Sequence, residues 1–226
     1  MSYVTTEKGM YYGENLKQTA YRHLATALLI SAVCILAINI FAPPIEIYYF
    51  ASLVEGLIIF GLFFSALFRF QFSESTALLI LNIFAIASSV TLGYLVYIVT
   101  NVLADGTFIV FLTFGVAGVT VFGIYTYTSI NKPDTTALQK RVLIFALIFI
   151  IFSFFGIFFL SGYSTFYLVY SGLGALLFAL FMYIDFARLE RQEFASPAMM
   201  ALMLFYDIIY FIKYLLYFFI AASSDR

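Results

Sequence analysis

Seven long apolar stretches, separated by short polar breaks, leave this chain little choice of fold. A bilayer core of ~30 Å is crossed by ~20 apolar residues in helical form. The stretches near 24–42, 45–68, 76–99, 107–130, 141–160, 165–187 and 198–222 each meet that length. Hydrophobic residues make up 64% of the chain and charged residues only 10%, whereas soluble domains carry about 25% charged residues. The expectation is an all-α integral membrane protein: a bundle of seven transmembrane helices.

The breaks carry helix-ending chemistry. They are Pro43-Pro44, Ser73-Glu74-Ser75, Asp105-Gly106, Asn131-Lys132-Pro133-Asp134, Ser161-Gly162 and Ser196-Pro197. In the last, Ser196 is expected to cap a helix whose first turn holds Pro197. The division is an N-terminal segment 1–23, a seven-helix domain 24–222 and a tail 223–226, with no room for a second domain. No cleavable signal peptide is evident, because the first apolar run follows a polar segment and is long enough to remain as a helix. Cys34 is the one cysteine and His23 the one histidine, which excludes an internal disulfide and a Cys-rich metal site.

Lysine and arginine set the expected orientation. Lys8, Lys17, Arg22, Arg69, Lys132, Lys140, Arg141, Arg188 and Arg191 fall on one side of the seven spans, and only Arg226 falls on the other. The positive-inside rule then puts the N-terminus in the cytoplasm and the C-terminus outside. Small residues recur every fourth position as Ala85, Ser89 and Gly93, as Ser171, Ala175 and Ala179, and as Gly61 with Ser65. Such stripes let helices approach closely in lipid.

Polar residues at membrane depth are costly, and they mark function unless something else explains them. Asp207 lies ten positions past Pro197, ~15 Å along helix 7. Asp185 lies near the end of helix 6, which the short following link makes an antiparallel neighbour. If the two carboxylates approach, they cannot both ionise cheaply, so the pair would share a proton and act as a pH-dependent latch. Calcium offers a second role for the same oxygens. Ca2+ takes about six to eight oxygen ligands, and two carboxylates supply at most four, so the site would be transient. A pairing of Asp185 with Arg188 at the helix end is the plainer alternative, and for Asp207 a hydrogen-bonded, protonated structural carboxyl. Glu55 on helix 2 and Lys213 on helix 7 would relieve one another's burial by pairing. The alternative for Lys213 is to snorkel outward. Arg69 is expected to anchor the end of helix 2 at the interface, or to bridge to the acid pair.

At this point the chain resembles a known family. The run Met200-Ala201-Leu202-Met203-Leu204-Phe205-Tyr206-Asp207-Ile208-Ile209-Tyr210-Phe211-Ile212-Lys213-Tyr214-Leu215-Leu216 resembles the closing helix of the transmembrane Bax inhibitor motif family, in particular its bacterial branch. Leu180-Phe181-Met182-Tyr183-Ile184-Asp185 is similar to the family's aspartate-bearing end of helix 6. Gly115 to Asp134, with Thr128, Lys132 and Asp134, resembles its helix 4 and exit turn. The resemblance implies a bundle with helix 7 central and six helices around it. It further implies a pH-sensitive calcium leak closed on the cytoplasmic side by the two aspartates, which match Asp185 and Asp207. In some relatives a glutamate and a later arginine on helix 2 accompany the pair. Glu55 fits the first, while Arg69 lies further along than that pattern has it. Lys213 also departs from the pattern.

The expected function is therefore a pH-sensitive calcium leak channel of a bacterial plasma membrane, with Ca2+ as the transported ion and no cofactor. The alternative is a membrane interaction protein that modulates a membrane-bound protease or a cell-death response, with the aromatic segment Tyr3 to Tyr12 as a contact. Lipid is the surrounding partner, and no nucleic acid is expected. A retinal protein is opposed by the absence of Trp, the predicted orientation and the different faces of Asp207 and Lys213. An enzyme is not expected: one His and one Cys cannot build a zinc site, and no Gly-x-Ser-x-Gly elbow occurs.

Overall fold

The computed structural model describes residues 13–67, 72–159, 164–194 and 196–224. Among them seven α-helices carry almost all of the chain: α1 (Gly13–Phe41), α2 (Ile45–Leu67), α3 (Glu74–Val102), α4 (Gly106–Asn131), α5 (Thr136–Phe159), α6 (Ser164–Glu190) and α7 (Pro197–Ser224). Each contains a stretch long and apolar enough to cross a membrane. Large apolar side chains such as Phe41, Phe111 and Val119 are exposed on the outside of the bundle. In lipid such surface needs no cover, since hydrocarbon is as apolar as the side chains.

The helices run alternately up and down, and their end contacts show it. Lys17 at the start of α1 pairs with Glu190 at the end of α6. Glu74 opens α3 beside Ser196 and Ala198 at the start of α7. Arg191, just past α6, reaches Asp134 before α5. These contacts define a basic end of the bundle. At the opposite end the Tyr94 hydroxyl donates to the Pro43 and Pro44 carbonyls in the link between α1 and α2.

α7 is the central helix, and it packs against α1, α3, α4 and α6. Its Met200, Leu202, Leu204, Phe205, Ile209 and Leu216 are among the most deeply buried side chains. α2 and α5 are the outer helices: α2 packs on α3 and α5 on α6. They reach α7 through long side chains, Glu55 to Lys213 and Phe149 to Tyr214. The enclosure is thus tight on four sides and looser on two.

Several local details follow from the sequence chemistry. Ser196 accepts from the Met199 N–H at 3.1 Å, capping α7 ahead of Pro197. Ala85, Ser89 and Gly93 are all buried, and a Cβ on Gly93 would stand 3.1 Å from the Ile38 Cβ of α1. That glycine sets the α1–α3 approach. Ser171 and Ala175 on α6 are likewise buried. Gly61 is not used in this way, because nothing lies within 4 Å of its would-be Cβ, and the side chain of Ser65 falls outside the described residues. α1 starts at Gly13, well ahead of the apolar run near residue 24. Its polar first turns are helical because Lys17 and Tyr21, one turn apart, both bind Glu190. Residues 1–12, with the aromatic segment Tyr3 to Tyr12, and Arg69 lie outside the described residues.

Candidate functional site

α6 and α7 lie side by side, joined by the short link that ends at Ser196 and Pro197. Asp185 is one turn and a half from the end of α6, and Asp207 is ten residues into α7. Antiparallel packing brings the two carboxylates to neighbouring positions, close enough to act on one another electrostatically. Asp207 is 3% exposed. Its Oδ2 is completely buried and has no hydrogen-bond partner among the described residues. On the same helix and its neighbours the aromatic core is dense, with Phe84 edge-on to Phe205 and Phe178 edge-on to Tyr206. A buried polar atom without a partner is uncommon and costly, so it calls for an explanation.

Asp185 is less enclosed. Arg188 Nη1, one turn later on α6, donates to its Oδ1 at 3.3 Å. This pairing of Asp185 with Arg188 coexists with the proximity to Asp207. The acid pair thus has one partnered and one open member.

Glu55 and Lys213 form a second polar centre, which the structure brings together as an ion pair between α2 and α7. The Glu55 carboxylate is fully coordinated. Lys213 Nζ and the Tyr210 hydroxyl, the latter at 2.8 Å, both donate to Oε1. The Thr91 hydroxyl of α3 stands 2.7 Å from Oε2. Lys213 also stands 2.7 Å from Thr91 Oγ1 and lies over the Tyr210 ring, 4.9 Å from its centroid. Lys213 is six residues beyond Asp207, ~9 Å further from the basic end. A cavity of 280 Å³ opens over this centre, walled by Tyr48, Ser52, Tyr170, Tyr214 and Tyr217 as well as the charged pair. Tyr170 and Tyr214 hydroxyls meet at 3.1 Å across it.

The basic end holds a third cluster that sequence reasoning missed. Glu190 accepts from Lys17, from the Tyr21 hydroxyl at 2.7 Å and from the Ser129 hydroxyl at 3.1 Å. One carboxylate thereby ties α1, α4 and α6 together. The available signal was the Lys17–Tyr21 spacing, which places two donors on one helical face. Outside the spans, Asp134 accepts from the Thr136 N–H at 2.9 Å and from Arg191 at 3.3 Å. These contacts hold its carboxyl below the usual range, at about 2. His23 lies 3.8 Å from Glu74. Among the described residues no group of three or more His, Cys, Asp or Glu side chains is arranged to hold a metal ion.

Seven helices long and apolar enough to cross a bilayer, the seventh central and largely enclosed by the others, define a multi-pass integral membrane protein. The family model described as "Inhibitor of apoptosis-promoting Bax1" matches residues 14–225, which is nearly the whole chain. The chain belongs to this Bax inhibitor-1 family of non-enzymatic membrane proteins. No curated protein matches it.

Proposed function

We propose that this protein is a pH-sensitive calcium leak of a bacterial plasma membrane, with the carboxylates of Asp185 and Asp207 as its gate. One observation supports this above the others: Asp207 carries a buried, unpartnered oxygen beside a second carboxylate. A proton shared by the pair satisfies that oxygen and holds α6 against α7. Loss of the proton leaves two like charges in a poorly hydrated site, and their repulsion drives the helices apart. A cation arriving at that moment meets the same oxygens. With at most four carboxylate oxygens and no third acidic ligand among the described residues, Ca2+ must complete its shell with water and backbone, so it binds weakly enough to leave.

The excess of Lys and Arg at one end supports an orientation with that end cytoplasmic. The acid pair then closes the cytoplasmic half, and the cavity above Glu55 and Lys213 faces outward. The fixed charge of Lys213 beside such a path lowers conductance. Calcium flux into proteoliposomes across a pH series tests the reading. Wild-type flux is expected to vary with pH, and the Asp185→Asn, Asp207→Asn double variant to lose that dependence. Unchanged flux and an unchanged pH profile for Asp207→Asn would reject it.

A second reading is a membrane interaction protein that modulates a membrane-bound protease or a cell-death response, and the family's description supports its cell-death arm. Co-purification with a membrane-bound protease that survives neutralisation of both aspartates would favour it over the leak.

A further inference from the structure

α1 and α4 both pack on α7, but they pack far less on one another. They meet near the basic end, where Tyr21 and Tyr125 stand edge to face. Away from that contact the bundle is open, leaving an apolar slot of 340 Å³. One wall is a single stripe of α4: Phe114, Ala117, Gly118, Val121, Phe122 and Tyr125. The spacing of three and four residues puts all six on one helical face. The floor is the central helix itself, at Ile208 and Ile212. This is a side window onto α7, distinct from the cavity over Glu55 and Lys213.

The slot's dimensions and surroundings indicate its occupant. All lining residues lie within membrane spans, so the bilayer borders it. Phe114 to Tyr125 rises ~16 Å along α4, about half of a ~30 Å hydrocarbon core. That is the reach of an acyl chain from one leaflet. The stripe continues past Tyr125 to Lys132, which is exposed and ends α4 in the left-handed conformation. Arg22, adjacent to Tyr21 on α1, is exposed too, and no salt bridge joins it to another described residue. Two exposed cations therefore lie toward the basic end on α1 and α4, the two helices that flank the slot.

We propose that this slot binds one anionic phospholipid, its acyl chain lying on α7 at Ile208 and Ile212 and its headgroup held between Arg22 and Lys132. The site stands independently of the leak reading. Small residues make it possible: Ala117 and Gly118 keep the α4 wall low, and nothing lies within 4 Å of a Cβ built on Gly118. A side chain at 118 therefore starts into open space on the slot's wall, where a large one competes for the slot.

Native mass spectrometry of the full-length protein, exchanged into mixed micelles of phosphatidylglycerol and phosphatidylcholine, tests the assignment. Wild type is expected to retain one phosphatidylglycerol in preference to phosphatidylcholine. Gly118→Trp should lose that bound lipid, and Arg22→Gln or Lys132→Gln should each weaken retention by about fivefold at low salt. A photoreactive benzoylphenylalanine in place of Phe122 gives a second readout in otherwise unaltered protein. Its adducts should be richer in phosphatidylglycerol than those from the same probe in place of Val116, an exposed residue on the opposite face of α4. Equal retention by Gly118→Trp and wild type, or adducts of equal composition at the two positions, would overturn the proposal.

Discussion

Lys213 of α7 donates to Glu55 of α2 in the apolar interior, and the two side chains are only 11% and 6% exposed. Neither residue is tolerable there alone. Desolvation of an unpaired charge costs several kcal/mol, and the ion pair with its additional hydrogen bonds from Thr91 and Tyr210 offsets it. Removing one partner should destabilise the protein by ~3–5 kcal/mol, whereas replacing both with apolar residues of similar volume should cost far less. Unfolding in detergent of Glu55→Leu, Lys213→Met and the double variant forms the cycle. Additive single effects would show that the pair is not the stabilising unit.

How much of this was legible in the sequence depended on range. The seven helices were, because each apolar run must be helical to satisfy its backbone in lipid. The Glu55–Lys213 pair was inferred from the burial cost of each residue, but its Thr91 and Tyr210 ligands were not. Hydroxyls occur throughout these helices and usually bond to their own backbone, as Thr113 and Thr120 do here. The proximity of Asp185 and Asp207 was a conditional inference, since the short link fixes adjacency but not rotation. Glu190 lies beyond the apolar stretch 165–187, where nothing in the sequence marks it as buried. Its burial depends on α1 extending back to Gly13, and no apolar run announces that extension.

The link between α3 and α4 turns on Gly106. A Cβ there would stand 1.9 Å from the Val99 carbonyl oxygen, which belongs to backbone and cannot swing aside. Gly106→Ala should therefore force the link to shift, at a cost of ~1–3 kcal/mol by analogy with overpacked cores. Gly115→Ala, with nothing within 4 Å of its Cβ, should be neutral or slightly stabilising through helix propensity. Thermal melting of the two variants in the same detergent distinguishes them, and equal melting temperatures would contradict the geometry.

Asp134 couples a solvent-exposed link to acidity. Its carboxyl sits at about 2 in the folded protein, because the Thr136 N–H and Arg191 favour the charged form. The ordinary value is 3.8, so the folded state binds this proton less readily than the unfolded chain. The stabilising contribution is complete above about pH 4, and it fades as pH falls toward 2. Because the group is exposed, the effect should be local, seen as faster hydrogen exchange at the start of α5. Asp134→Asn should show raised exchange there already at neutral pH and little further change on acidification. An acid response equal to that of wild type would point to a different group.

Glu190 fastens the polar start of α1 to α4 and α6 with a single buried carboxylate, whose side chain is 1% exposed. Lys17 is its only cationic partner among the described residues and is itself part-exposed, so the lost pair alone would be a modest effect. The larger consequence comes from Tyr21 and Ser129, which lose an acceptor strong enough to order them both. Glu190→Ala should therefore loosen residues 13–21 more than Lys17→Ala does, although both remove the same ion pair. Hydrogen exchange and limited proteolysis at the start of α1 read this directly. If Lys17→Ala loosens the segment as much as Glu190→Ala, the salt bridge alone holds it, and the hydroxyl contacts contribute nothing. The spans from α2 to α7 should keep their protection in both variants, because this cluster lies at the bundle's basic end and leaves the packing around α7 untouched.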